Sequence, residues 1–314
     1  MKKPNLFIVG EPKCGTTSLY KYLKQHPDVF LSKVKEPKFW SKDFHKEIEE
    51  YNKKRNSAFN KNHFIFFKLE EYERLFKNCS KKIAGEASTT YLYSAVAAEE
   101  IHSYSPQAKI IATLRNPVDF LHSLHSQFLF TRNETIEDFE EALKAEDDRK
   151  QGKRIPRDIY LPPSFLYYSE WAKFSEQLNR YYEIFDKEQI KVIILDELKE
   201  NPAKVYKEIL EFIGLPDFTP EFKLANENQK LMPVFKPIVD LIRRYNILKT
   251  VMPKRAYYKL SRAFYKMIVT KQPRQPMDSE LRQRLMKEYK PEVERLSKLI
   301  NKDLVSLWGY DRIK

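Results

Sequence analysis

Gly10-Glu11-Pro12-Lys13-Cys14-Gly15-Thr16-Thr17 is the stretch from which the rest of the chain can be read. The apolar run Leu6-Phe7-Ile8-Val9 enters it as a buried parallel strand. Thr17-Ser18-Leu19-Tyr20-Lys21-Tyr22-Leu23 leaves it with apolar residues three and four apart, a helix that stops at His26-Pro27. The glycines let the backbone curl so that successive N–H groups point inward at an anion, and the helix adds its positive N-terminal end. Their spacing is that of a Walker A loop, but that motif needs lysine directly after its second glycine to reach the β- and γ-phosphates. Thr16 stands there instead, and the lysine lies inside the loop as Lys13, which counts against a kinase or ATPase. Val192-Ile193-Ile194-Leu195-Asp196-Glu197 has the form of a Walker B strand; the plainer reading is a buried strand that happens to end at acidic residues.

A second turn of the same kind follows. Lys109-Ile110-Ile111-Ala112-Thr113-Leu114 is a strand that runs into Arg115-Asn116-Pro117, where Asn116 can cap a helix and Pro117 can take its first position, with the helix over 118–130. Farther on, the pattern predicts an amphipathic helix over 165–186, a strand from Ile190 to Leu195 and a helix from Pro202 to Ile213 closed by Gly214. A polar loop at 225–230 and a helix from Ser279 to Leu299 complete the chain. Strands alternating with helices predict a three-layer α/β fold around a mostly parallel sheet, with helical additions at the C-terminus. The whole of 1–314 reads as a single domain, with 236–274 a basic helical insertion and 275–314 a C-terminal helical part.

The 314 residues are 42% hydrophobic and 14% aromatic, enough for a sizeable core and contrary to a disordered chain. No apolar run is long enough to cross a membrane, and the N-terminus lacks the apolar stretch and cleavage site of a signal peptide, so a cytoplasmic protein is expected. Cys14 and Cys79 are the only cysteines and the six histidines show no ligand spacing, so neither a disulfide framework nor a metal site is expected. His26 and His63 read as turn and packing residues. The net charge of +13 is concentrated: between Lys236 and Arg274 stand eleven Lys or Arg and one acid, Asp240.

Pro12-Lys13-Cys14-Gly15-Thr16-Thr17-Ser18-Leu19 resembles the 5′-phosphosulfate loop of sulfotransferases that use 3′-phosphoadenosine 5′-phosphosulfate (PAPS), and Arg115-Asn116-Pro117 with Ser123 resembles their 3′-phosphate site. Further similarity lies in Lys35-Glu36-Pro37-Lys38-Phe39-Trp40, Gly85-Glu86-Ala87-Ser88, the strand from Gln189 to Leu198 with Asn201-Pro202 after it, and the stretch from Met277 to Trp308. The likeness covers most of the chain and is weakest over 45–80, 130–160 and 236–272. It is to bacterial-type enzymes similar to the heparan-sulfate and carbohydrate sulfotransferases, and it implies their P-loop-like fold. PAPS is then the donor substrate, and no metal is needed.

The resemblance also implies roles. Lys13 stabilises charge on the oxygen bridging sulfur and the 5′-phosphate as that bond breaks. Cys14, Gly15, Thr16, Thr17 and Ser18 supply the 5′-phosphate loop. Arg115 offers a bidentate fork to the 3′-phosphate, and Ser123, about two turns along the next helix, reaches the same group. Lys230 joins the donor-binding set. Glu36, just ahead of an aromatic pair, matches the catalytic glutamate of the heparan-sulfate-type enzymes, as general base, with Lys38 assisting at the sulfuryl oxygens. The histidine base of the cytosolic sulfotransferases has no counterpart between Ile83 and Tyr91, and Ala87 stands where glycan enzymes often carry lysine. The acceptor is a hydroxyl of a carbohydrate or glycolipid, with a small polar natural product as the main rival. A P-loop kinase and a non-catalytic binder of anionic glycans are the other readings; nucleic acid is not an expected partner.

The basic segment reads two ways: a solvated helix face, or a surface that draws in an anionic acceptor or a charged membrane. In the second case acceptor affinity falls steeply between low and moderate salt, because such steering is screened over about 8 Å at physiological ionic strength. Reversing Lys254, Arg255, Lys259 and Arg262 to Glu should then flatten the salt curve of acceptor KM and spare donor binding. An unchanged salt curve in that variant leaves the segment a solvated face.

Overall fold

Five short runs rich in Ile, Leu, Val and Ala pair side by side and in parallel: β1 (Leu6–Ile8), β2 (Val29–Leu31), β3 (Ile83–Ala87), β4 (Lys109–Leu114) and β5 (Ile190–Ile194), in the spatial order β2-β3-β1-β4-β5. They are seen in a computed structural model, which describes residues 2–54, 68–157, 159–223, 229–231, 269–271 and 276–313. Every residue of β1 is buried, as a parallel strand covered on both faces must be. Leu6, Ile8, Ile111 and Ile193 meet Leu19, Tyr22 and Leu23 of the helix Thr16–Leu23, and Val205, Ile209 and Leu210 of the helix Pro202–Phe212. Alternate residues such as Phe7 and Ile110 turn to the other face by the twofold period of a strand.

The chain leaves β1 toward β2 and leaves β4 toward β5, in opposite directions along the sheet. Right-handed crossovers then place the helices Thr16–Leu23 and Pro117–Thr131 on opposite faces. β1 and β4 are nevertheless direct neighbours, with Ile8 opposite Ile111. Their C-terminal ends therefore open the crevice where ligands of open α/β sheets bind. At this edge the two strands nearly touch. A Cβ on Gly10 would lie 2.0 Å from the Thr113 nitrogen and 2.7 Å from its Cα, which leaves room only for glycine.

Most expected elements appear within a residue or two of their ends, and Asn116 caps its helix as foreseen, its Oδ1 accepting from the N–H groups of Val118 (3.0 Å) and Asp119 (3.4 Å). The single helix over 165–186 does not form. In its place stand a 3-10 turn Pro163–Leu166 and the helices Tyr168–Trp171 and Phe174–Tyr182. Three distant carboxylates cause the breaks. Glu47 accepts from the backbone N–H and hydroxyl of Ser164, Glu146 from those of Ser169, and Glu292 from those of Ser175, so each short piece has its orphan donors satisfied from outside. Glu292 sits on the C-terminal helix Ser279–Ile300, which packs on both Phe174–Tyr182 and Pro117–Thr131.

The described chain forms two units, Met1–Ala225 with Asp278–Lys314, and Asn226–Met277. In the second, β6 (Gln229–Leu231) and β7 (Val269–Lys271) pair antiparallel. Gln229 and Lys230, expected to end a polar loop over 225–230, open β6 instead; 225–228, the rest of the basic segment and His63 lie outside the described residues. No described helix is long and apolar enough to cross a membrane.

The close approach at Gly10 sets a test of the fold. Gly10→Ala forces β1 and β4 apart with no flexible side chain to yield, and should cost about 3 kcal/mol, the upper end of ordinary overpacking. Urea denaturation reads this as a lower midpoint at an unchanged slope. A midpoint equal to that of the wild type would mean that the strands are not so tightly apposed.

Candidate active site

The first loop is held by its own turn, with the Cys14 N–H donating to the Glu11 carbonyl at 3.3 Å, and it hands over to the helix through Gly15 at φ 91°. A left-handed residue there aims the next N–H groups back into the loop. Thr16 and Ser18 are buried, while Lys13 and Thr17 are half-buried. Burial pushes the Cys14 thiol well above its ordinary range, with Glu11 adding to the shift, so that side chain is neutral and the residue's contribution is its backbone.

Lys13 reaches across to the second loop's helix, its Nζ 3.5 Å from Oε1 of Gln127, one turn beyond the buried Ser123. Arg115 forms no hydrogen bond or ion pair with another described residue. Its charge is felt at Cys14 in one loop and Asp119 in the other. Asn116 is steadied from below by the Tyr310 hydroxyl at 3.3 Å. Burial raises the Asp119 carboxyl, but Arg282, whose Nη1 lies 2.6 Å away, outweighs it together with Arg115 and Lys199 and holds the group below its usual range.

The acidic pair of the Walker B-like strand is already committed. Asp196 accepts from the Trp308 indole N–H at 3.0 Å, and both Glu197 oxygens accept from Lys302 at 2.7 Å, which docks the C-terminal segment. Among the described residues no three His, Cys, Asp or Glu are grouped so as to hold a metal.

Glu36 and Lys38 come together on the turn after β2. The Glu36 N–H donates to the Ala87 carbonyl at the end of β3 (2.8 Å), the Lys38 N–H to the Ser88 hydroxyl (3.0 Å), and the His45 Nε2–H to the Lys38 carbonyl (2.8 Å). Lys35 lies 3.1 Å and Lys38 3.8 Å from the Glu36 carboxylate. Burial is the largest single influence on Glu36 and raises it. Lys38, Lys35 and hydrogen bonds from Lys35 and Thr89 together overcome that, so the carboxyl titrates below its ordinary value and is ionised at neutral pH. Phe39 and Trp40 are buried against Tyr72 and anchor the turn.

Backbone strain singles out the same residues. Among the described residues six other than glycine have φ between 49° and 65°. Arg132 and Asn301 terminate helices and Arg154 follows a glycine turn. The remaining three are Lys13, Glu36 and Lys38. Each costs about 1 kcal/mol as an L-residue in the left-handed region, and such strain persists where the surroundings over-determine it, most often at functional sites.

Gln127, Lys35 and Glu86 were not among the residues assigned roles from sequence. Lys35 was the accessible one, adjacent to Glu36 in the chain. Gln127 faces Lys13 only because the sheet brings residues 114 positions apart together. Lys230 lies in the middle of β6 in the second unit.

Two strand-to-helix turns thus lie on adjacent parallel strands of an α/β sheet, one with a lysine inside the loop and one with an arginine that has no ion pair among the described residues. A family model for the sulfotransferase domain matches residues 3–236, and the chain belongs to that family. Mouse carbohydrate sulfotransferase 15 is 25% identical over 246 residues, covering 68% of this chain and 44% of the mouse protein. The bifunctional heparan sulfate N-deacetylase/N-sulfotransferase 1 of Xenopus laevis is 26% identical over 215 residues, 68% of this chain and 22% of that protein. The chain thus spans less than half the length of either relative. The crystal structure of a sulfotransferase from Alicyclobacillus acidocaldarius superposes with a TM-score of 0.68 at 27% identity, over 98% of this chain and 99% of that one.

The charge balance at Glu36 can be read directly by carbon-13 NMR of its carboxyl. The wild-type midpoint should fall below the ordinary glutamate value of about 4.3. Lys35→Met removes a favourable charge and hydrogen bond, so the midpoint should move up. No movement would show that Lys35 does not govern this carboxylate.

Proposed function

We propose that the protein transfers a sulfuryl group from PAPS to the hydroxyl of a carbohydrate or glycolipid. The supporting observation is the side-by-side placement of two anion-receptive turns at the ends of β1 and β4, bridged by the Lys13–Gln127 contact. PAPS carries anionic groups at its 5′ and 3′ positions, and one turn serves each. Backbone N–H groups of Gly15, Thr16 and Thr17 and the buried Ser18 receive the 5′-phosphate. Arg115, with no competing carboxylate in contact among the described residues, and Ser123 receive the 3′-phosphate.

In the reaction Glu36 takes the proton of the acceptor hydroxyl as its oxygen forms a bond to sulfur. The bond from sulfur to the 5′-phosphate oxygen breaks in line, its electrons leaving with adenosine 3′,5′-bisphosphate (PAP). Lys13 meets the charge that grows on that oxygen, a contact stronger in the transition state than before it. Lys38 faces the sulfuryl oxygens. Burial raises the Glu36 carboxyl but Lys38 and Lys35 outweigh it and hold it below its ordinary value, which favours the ionised form a base needs. A kinase reading loses support because Thr16 replaces the Walker lysine and Asp196 and Glu197 are bound to the C-terminal segment.

Turnover of sulfur-labelled PAPS against methyl glycosides, a desulfated glycosaminoglycan and a small phenol tests the activity and sorts glycan acceptors from small aromatic ones. Lys13→Ala should lower kcat by about a hundredfold or more with the fold intact. Arg115→Ala should chiefly raise the donor KM, since the 3′-phosphate is remote from the reacting bond. Glu36→Gln should lower kcat by about a hundred- to ten-thousandfold while PAP binding holds. Near-normal turnover in Lys13→Ala would overturn the donor-site assignment.

A further inference from the structure

Beneath the turn that carries Glu36 lies a second carboxylate that the reaction as written does not use. Glu86, on β3, is completely buried. Its Oε1 accepts from the Tyr72 and Tyr91 hydroxyls and its Oε2 from the Ser88 hydroxyl, each at 2.8 Å. Burying a carboxylate is costly unless hydrogen bonds satisfy it, and three hydroxyl donors do so here. What depends on Glu86 is Ser88. With its proton committed to Glu86, the Ser88 oxygen presents lone pairs to the Lys38 N–H at 3.0 Å. That bond and the Glu36–Ala87 bond are the two backbone anchors between the strained Glu36–Lys38 turn and the end of β3.

We propose that Glu86 is a positioning residue: acting through Ser88, it fixes the Lys38 amide and with it the left-handed turn that aims the Glu36 carboxylate. This rests on the reading of Glu36 as the base.

The groups facing Glu86 are Tyr72 from the helix Leu69–Glu73, Tyr91 and Ser88 from the turn after β3, and Glu36 from the loop after β2. Burial raises Glu86 most, the three hydroxyl donors pull it back, and the Glu36 charge raises it further, to about 7. Above that pH the carboxylate orients all three donors. As pH falls through it, a proton enters the cluster and a donor must turn away, which loosens the Ser88 link. The Glu36 carboxyl itself titrates far lower.

The test uses the full chain with Glu86→Gln and, as a variant that leaves the tyrosine bonds in place, Ser88→Ala. Hydrogen exchange at the Lys38 amide should speed up in both by about five- to tenfold, the worth of one ordinary hydrogen bond. PAP should bind both as it binds the wild type. With labelled PAPS and the methyl glycosides, kcat should fall by about a hundredfold, the cost of a misplacement of about 1 Å. The wild-type rate should decline as pH drops through about 7, and Glu86→Gln should lose that limb, which a merely structural role would not remove. Unchanged Lys38 exchange in both variants, or wild-type kcat and pH profile in both while Glu36→Gln is inactive, would overturn the inference. Full activity in Glu36→Gln would instead remove the base assignment beneath it.

Discussion

The approach of β1 to β4 at Gly10 is the constraint on which the site depends. Neighbouring parallel strands lie about 4.8 Å apart, and here a single methyl group would meet backbone atoms of Thr113. Because the strands run so close, the turns that follow them begin side by side although they are far apart in sequence. Because the connections leave in opposite directions, neither turn is covered by the other's helix. On the proposed reading a ligand with two anionic ends meets one turn with each; the lysine of the first loop touches the helix of the second.

Charge and strain then distribute the work. The cations at the site fall into two groups. Lys35 and Lys38 stand beside the Glu36 carboxylate, and Arg282 pairs with Asp119. Arg115 has no carboxylate in contact among the described residues. The acidic pair Asp196 and Glu197 is engaged as well, with Trp308 and Lys302. The three residues assigned to the reacting centre each sit in a backbone conformation that L-residues avoid, held by bonds from β3, His45 and the loop itself. A fold that maintains such strain at three positions, each worth about 1 kcal/mol, has side-chain direction to gain from it.

Much of this was legible in the sequence where the information is local. The glycine loop after β1, the apolar runs of β1, β4 and β5, and the Asn116-Pro117 helix start after β4 are signals within a few residues, and the fold class followed from their order. β2, as short as β1, has no glycine loop after it to mark it as a strand. The helix expected over 165–186 failed because its apolar period runs on through breaks imposed by Glu47, Glu146 and Glu292, carboxylates contributed from elsewhere in the chain. The same limit hid the partners of the site. Glu86 sat in view within Gly85-Glu86-Ala87-Ser88, but its meaning comes from Tyr72, Tyr91 and Lys38, which only the folded chain assembles. Gln127 likewise has no sequence signature as a neighbour of Lys13.

The central claim is that the crevice between β1 and β4 holds a nucleotide by both its 5′ and its 3′ phosphate. Thermal denaturation in the presence of PAP, adenosine 5′-monophosphate or ATP with Mg²⁺ addresses it without knowledge of the acceptor. A ligand at a hundred times its Kd adds about 2.7 kcal/mol to stability, a shift that is easily resolved. PAP should raise Tm clearly, the monophosphate lacking the 3′ group much less, and ATP–Mg²⁺ scarcely at all. A shift from ATP–Mg²⁺ equal to or larger than that from PAP would contradict the account.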